Sequence, residues 1–184
     1  MAMERSVARV LARQVKLELD SAYFFLQAVN WFDRRFMPGF ANWMRKQAHE
    51  EVGRALVIFN YINSRKADAG METVDCSRPD HASLTSLVAC ARLRVYEIYR
   101  ATEQARLIAE LAEDGEAVSL LDCLVEETRL VAENLGDMER SVSDLDGDAA
   151  ALAKLDDEFG KRKFVVPVLA PGKRMGKLEM VNAC

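Results

Sequence analysis

The hydrophobic pattern of the chain predicts four long helices and a short fifth helix. Apolar residues recur at steps of three and four, the spacing that places side chains on one face of an α-helix. The long patterns cover about 4–32, 38–64, 83–113 and 116–143, and a shorter one covers about 149–161. The sequence therefore predicts an all-α fold.

The connections between these helices differ in length, and the difference predicts the topology. The first and third connections are short, at 33–35 and 114–115, so the helices that they join should lie side by side and antiparallel. Residues 65–80 lack periodicity, and a loop of about 15 residues is long for a compact domain. A crossover that runs the length of a four-helix bundle would account for it. We therefore expect a bundle with one long crossover between helices two and three.

The chain is predicted to be one domain followed by a tail. A single helical core accounts for residues 1–162, and the sequence contains no internal repeat. Residues 163–184 contain two prolines and no clear period, which predicts an extended or disordered C-terminal tail.

Composition and charge narrow the class of protein. Half of the residues are hydrophobic and 29% are charged, as in ordinary globular domains. A net charge of −4 gives no reason to expect nucleic acid as a partner. The N-terminus lacks an apolar core of signal-peptide length, and no run of about 18 apolar residues is present. We expect a cytoplasmic protein that binds neither nucleic acid nor a membrane.

Carboxylates on the apolar stripes of helices one and two are the first indication of chemistry. Glu18 lies on the stripe of helix one, and Glu51 lies on that of helix two with Arg54 three residues later. A buried carboxylate is costly unless it is paired or binds a metal ion. Two alternatives need no special function: Glu18 is half-exposed, or Glu51 and Arg54 form a surface ion pair.

The other two long helices offer further carboxylates. Glu97 lies on helix three, and Glu126 and Glu127 lie on helix four. Each of them alone would most simply be a solvated charge. Four inward carboxylates from four helices, however, are hard oxygen ligands, and di-iron sites in the cores of helical bundles are built in this way.

The helix-two string GFANWMRKQAHEE, at residues 39–51, closely resembles the second helix of bacterial-type non-haem ferritins. Residues 17–21, 118–127 and 155–162 resemble the first, fourth and fifth helices of the same family, so the resemblance covers about residues 5–162. It implies a ferritin-like four-helix bundle with a long crossover and a short fifth helix.

The resemblance also implies which residues would bind iron. Glu18 matches the ligand from helix one, and Glu51 matches the bridging ligand from helix two. Glu97 is the nearest match on helix three, and Glu127 matches the ligand from helix four. Glu50, together with Glu127, matches positions that can bind a third iron in bacterial ferritins.

Several positions depart from the family pattern. The histidine that follows the bridging ligand is replaced by Arg54, and the glutamine of helix four is replaced by Thr128. Two later acids fall on Leu130 and Val131. Because arginine stays protonated and has no free lone pair, it cannot bind a metal. We expect Arg54 to form a salt bridge with Glu18 or Glu51 and the di-iron site to be weakened.

These departures leave the activity open. The sequence favours an iron-storage subunit that holds ferric iron in a shell, with ferroxidase activity weak or absent. The alternatives are an active ferroxidase with a remodelled carboxylate site, and a non-enzymatic structural or cargo protein that binds another protein through 165–169. We assign no catalytic residue.

Haem is not expected, because bacterioferritins hold it with a methionine on helix two and residues 51–54 contain none.

The resemblance further implies iron ions as partners and a homo-oligomer. Dimers would be the building blocks, possibly of a 24-subunit cage, and an active ferritin subunit could co-assemble with this chain. Tyr23, Phe24, Phe32 and Phe36 exceed what one inner stripe can hold, so some of them could pack against a second subunit.

Overall fold

The computed structural model describes residues 3–74, 82–145 and 147–164. Within these ranges the chain forms five helices and no strand. The helices are α1 (Arg5–Asp33), α2 (Pro38–Ser64), α3 (Leu84–Leu111), α4 (Gly115–Ser143) and α5 (Ala149–Gly160). The predicted all-α fold is confirmed, and the helix ends lie within about two residues of those read from the pattern.

Local side chains determine where the helices begin. Pro38 occupies the first turn of α2, where its missing N–H costs nothing. The Ser83 hydroxyl accepts a hydrogen bond from the backbone N–H of Ser86 at the start of α3. Asp114 and Asp148 accept equivalent bonds at the starts of α4 and α5.

The four long helices form a bundle in which α1 packs along α2 and α3 packs along α4, while α1 also contacts α3. The short connections after α1 and α3 require the antiparallel pairing that the sequence predicts. The connection from α2 to α3 spans 65–83, and residues 75–81 of it lie outside the described part. Arg65, the first residue of this connection, forms ion pairs with Asp114 and Glu116 at the start of α4.

Two apolar clusters fill the bundle, one toward each end. The first cluster includes Phe25, Phe32, Phe40, Met44 and Leu135. The second cluster includes Leu11, Ile58, Ile62, Leu121 and Leu124. On each long helix, the residues of the two clusters are separated along the chain by buried polar positions. The bundle is therefore apolar at both ends and polar in the middle.

Helix α5 lies against the first turns of α2. The Asp156 carboxylate accepts a hydrogen bond from the Phe40 backbone N–H at 2.8 Å, and the Phe159 ring packs on that of Phe40 with centroids 4.9 Å apart. A Cβ atom on Gly39 would lie 1.6 Å from the Asp156 carbonyl oxygen, so only glycine permits this approach.

The predicted tail begins next to α2. The ring of Phe164 contacts that of His49, with centroids 5.6 Å apart. Residues 165–184, which the sequence predicts to be extended or disordered, lie outside the described part. Across the described ranges, none of the helices combines the length and apolarity needed to cross a bilayer.

Candidate functional site

A layer of buried polar side chains lies between the two apolar clusters. We call it the buried polar cluster, and its members come from three helices. They are Gln14 and Glu18 on α1, Gln47, Glu51 and Arg54 on α2, and Thr102 on α3. Since burying charges is costly unless they are paired, the contacts among these side chains decide what the site can do.

Arg54 occupies the centre of this cluster. Its Nε donates a hydrogen bond to Glu18 Oε2 at 3.0 Å, and its Nη2 lies 2.8 Å from Glu51 Oε2. The second contact is an ion pair between residues three positions apart on α2. The exposed fractions of the Arg54, Glu18 and Glu51 side chains are 2%, 0% and 0%. The expected salt bridge is therefore present with both carboxylates, and the alternatives of a half-exposed Glu18 and a surface pair are wrong.

Two amide side chains contact the other carboxylate oxygens, and a hydroxyl holds one of these amides in place. Gln47 Nε2 donates to Glu51 Oε1 at 2.7 Å. Gln14 Nε2 lies 3.3 Å from Glu18 Oε1 and 2.8 Å from the Thr102 hydroxyl oxygen, which in turn donates to the Ile98 carbonyl. The guanidinium and these neutral groups thus hold both carboxylates from several sides.

The electrostatics follow from burial of one cation with two carboxylates. Burial raises the pKa of Glu18 well above its usual range, Arg54 lowers it in part, and the neighbouring Glu51 carboxylate raises it again. Burial alone would lower the pKa of Arg54, but the carboxylates of Glu18 and Glu51 raise it above its ordinary value. The guanidinium therefore remains charged throughout the physiological range.

At this level helix α4 buries Thr128 and Val131 and carries the Glu127 carboxyl beside them. Thr128 is buried, and its hydroxyl donates to the Leu124 carbonyl of its own helix at 2.7 Å. Val131 is buried, whereas Leu130 is half-exposed. Glu127 is partly buried; burial raises the pKa of its carboxyl, and Arg54 lowers it in part. Glu127 is therefore within electrostatic reach of the cluster.

Glu50 lies at the edge of the cluster and faces a second arginine. Arg162, just after α5, donates from Nη2 to Glu50 Oε2 at 2.5 Å and to Gln47 Oε1 at 2.8 Å. Its Nη1 donates to the Trp43 carbonyl at 3.0 Å, and its guanidinium lies over the Trp43 ring. Both carboxylates that match a third iron position therefore lie near an arginine.

The structure does not bring Glu97 to this site. Glu97 is exposed, because the buried stripe of α3 runs through Val95, Ile98 and Thr102 and leaves position 97 facing outward. Thr102 faces the cluster instead, and it carries no carboxylate.

Sequence reasoning gave Gln14 and Gln47 no role and missed Thr102 and Arg162. Gln14 and Gln47 could have been found, since both lie on apolar stripes at four residues from a buried glutamate. Thr102 joins the cluster and Arg162 contacts it from distant parts of the chain, and no local pattern indicates either residue.

The family model "Ferritin-like domain" matches residues 8–143, from the first turn of α1 to the end of α4. The chain belongs to the ferritin family. Among the helices in the described part of this ferritin, α5 is the one that lies beyond the matched range.

Relatives and solved structures agree with this assignment. The "Bacterial non-heme ferritin" of Staphylococcus aureus is 26% identical over 166 residues, covering 88% of this ferritin and 98% of the relative. An engineered closed form of the Archaeoglobus fulgidus ferritin superposes with a TM-score of 0.84 at 25% identity, covering 89% of this chain and 99% of that one. The open-pore ferritin of the same archaeon shares the fold, with a TM-score of 0.84 at 23% identity over 88% of this chain and 98% of that one.

Among the described residues, no group of three or more His, Cys, Asp or Glu side chains is placed to hold a metal ion. Glu18 and Glu51 come together, but Arg54 is the residue between them.

Proposed function

We propose that this ferritin handles iron as a storage subunit whose own ferroxidase centre has been replaced by an internal ion pair. Iron is the cargo, and its oxidation would take place on a co-assembled subunit that keeps its ligands. The observation that carries the proposal is the Arg54 guanidinium between Glu18 and Glu51.

The residues present do not fit a pair of iron ions. A bundle di-iron site takes a glutamate from each of two helices and Glu-x-x-His from each of the other two. Here α2 carries Glu51-x-x-Arg54, α3 offers Thr102, and the Thr128 hydroxyl on α4 bonds within its own helix. Arginine has no lone pair to give, so both the ligand count and the charge oppose binding.

Electrostatic repulsion from Arg54 also opposes the binding of iron. At an effective dielectric constant of about 20, a divalent ion about 4 Å from a guanidinium is repelled by roughly 8 kcal/mol. The two carboxylates that would offset this repulsion are already paired with Arg54, whose charge cancels one of their two negative charges. A ferrous ion would therefore have to displace the Arg54 guanidinium, which is a covalent part of the chain.

The test is Fe(II) oxidation in air by the metal-free protein, followed by ferric absorbance. We expect the native chain to oxidise Fe(II) no faster than a protein-free control. Arg54→His should raise the rate above that of the native chain, because it removes the fixed charge and supplies an imidazole ligand beside Glu51.

The matched control is Arg140→His, which makes the same exchange on an arginine that is 72% exposed on α4. It should leave the rate at the native level. Rapid oxidation by the native chain would overturn the proposal and favour an active ferroxidase with a remodelled site. Equal rates for Arg54→His and Arg140→His would show that Arg54 is not what limits the reaction.

We also propose that the subunit assembles with copies of itself through the outer faces of α1 and α2. Of the four aromatic residues expected to exceed the core, Phe24 and Phe32 are buried within the subunit, so they cannot serve as contacts. The other two, Tyr23 and Phe36, are exposed. Tyr23 lies with the exposed Leu26, Val52 and Leu56 at helical spacing on the two helices.

Light scattering of the purified protein should give the mass of a dimer or of a larger assembly such as a 24-subunit cage. The reason is that Tyr23 and Leu26 on α1, with Leu56 on α2, expose large apolar side chains that a second copy would cover. A monomeric mass at micromolar concentration would contradict the proposed self-association.

A further inference from the structure

Arg162 connects α5 to the buried polar cluster, and through it the contacts continue across the bundle. Arg162 donates to Gln47 Oε1, Gln47 donates to Glu51, and Glu51 contacts Arg54. From Arg54 the path runs through Glu18 and Gln14 to Thr102 on α3. One line of polar contacts therefore joins α5, α2, α1 and α3.

Arg162 also covers the side of α2 that carries the cluster. Its guanidinium carbon lies 4.1 Å from the centre of the Trp43 ring, and it bonds to the Trp43 carbonyl and to Glu50. Trp43 and Glu50 are both buried. A flat, charged group stacked on the indole thus stands between these side chains and solvent.

The polar anchors of the helix that brings Arg162 there lie in and just after its C-terminal half. None of the residues of α5 is fully buried. Its polar anchors are the Asp156 bond to the Phe40 N–H and the bonds from Asn42 Nδ2 to the carbonyls of Gly160 and Arg162, at 3.2 and 3.3 Å. A short helix with a partly exposed apolar face and few anchors is the kind of element that opens before the rest of the fold.

We propose that α5 is a removable cover over the buried polar cluster and that Arg162 is the residue that closes it. Release of α5 opens a path for water to Trp43, Gln47 and Glu50, while the four-helix bundle remains folded. This proposal does not depend on whether the protein oxidises iron, because it concerns the access of water to α2 and not the identity of iron ligands.

The first test uses the unmodified, full-length protein. Hydrogen–deuterium exchange in increasing sub-denaturing urea should show the α5 amides exchanging through a local opening that responds little to urea. Amides of α1 and α2 facing the core should exchange only with global unfolding. If the α5 amides show the same dependence on urea concentration as the core amides of α1 and α2 throughout the titration, the proposal that α5 is removable is wrong.

The second test asks whether Arg162 closes the cover. Trp31→Phe leaves Trp43 as the sole tryptophan, since the chain has two. In this background, Arg162→Gln should increase acrylamide quenching of Trp43 and shift its emission to longer wavelength. Lys161→Gln is the matched control, because Lys161 is exposed and pairs only with Asp157 among the described contacts.

A third variant displaces α5 while keeping Arg162. Gly39→Ala places a methyl group against the Asp156 backbone and should increase Trp43 quenching as Arg162→Gln does. If quenching in Arg162→Gln matches Lys161→Gln, Arg162 is not the closing residue. If Gly39→Ala leaves quenching unchanged, docking of α5 does not shield Trp43, and the proposal fails even where Arg162→Gln has an effect.

Discussion

Replacing Arg54 by methionine should lower the free energy of unfolding by about 3–5 kcal/mol, because it leaves buried carboxylates without their cation. Glu18 and Glu51 have no exposed surface, so solvent cannot take over the role of the guanidinium. Urea unfolding followed by circular dichroism, at a fixed protein concentration and neutral pH, measures the loss.

Two further variants separate the charge from the packing. Changing Glu18 and Glu51 to glutamine together with Arg54→Met removes all three charges, and should recover most of the lost stability, since an uncharged core of similar volume is often as stable as a buried ion network. Arg140→Met, on an exposed i,i+3 pair with Asp137, should cost less than about 1 kcal/mol. A loss for Arg54→Met as small as that for Arg140→Met would mean that the buried carboxylates find other compensation.

Phe40→Ala should also lower the free energy of unfolding by about 3–5 kcal/mol, the usual cost of deleting a fully buried aromatic side chain. The Phe40 ring stacks on Phe32 of α1 with centroids 5.0 Å apart, and the Phe159 ring of α5 packs against Phe40 with centroids 4.9 Å apart. The cavity would therefore lie where three helices meet. The same urea titration measures the loss.

The control for Phe40→Ala is Leu111→Ala, at the end of α3, where the side chain is 87% exposed. Its effect should stay within about 0.5 kcal/mol, because little apolar contact is lost at the surface. A Phe40→Ala variant as stable as Leu111→Ala would show that α1 and α5 close over the cavity without penalty.

The helices were predictable because their signals are local. Apolar spacing, Pro38 and the polar residues before α3 and α4 act within one or two turns, so the sequence alone placed the ends of all five helices closely. Glu18 and Glu51 could be predicted as inward carboxylates for the same reason, since each lies on the apolar stripe of its own helix.

The rest of the site required distances between helices that no local pattern contains. Glu97 was chosen by its distance along the chain, whereas the packing of α3 against α1 places Thr102 opposite Gln14. Arg162 reaches Glu50 and Gln47 from more than a hundred positions away, through a short helix whose docking depends on the lack of a side chain at Gly39. Such contacts follow only from the assembled bundle.

The guanidinium of Arg54 has a consequence for how the chain matures. In a bundle whose inner carboxylates bind a metal ion, the core is complete only after the ion has bound, and a chelator lowers the stability of the protein. Here the positive charge belongs to Arg54, so it is present as soon as the chain has been synthesised. The core of the subunit can therefore form in full before any iron is available.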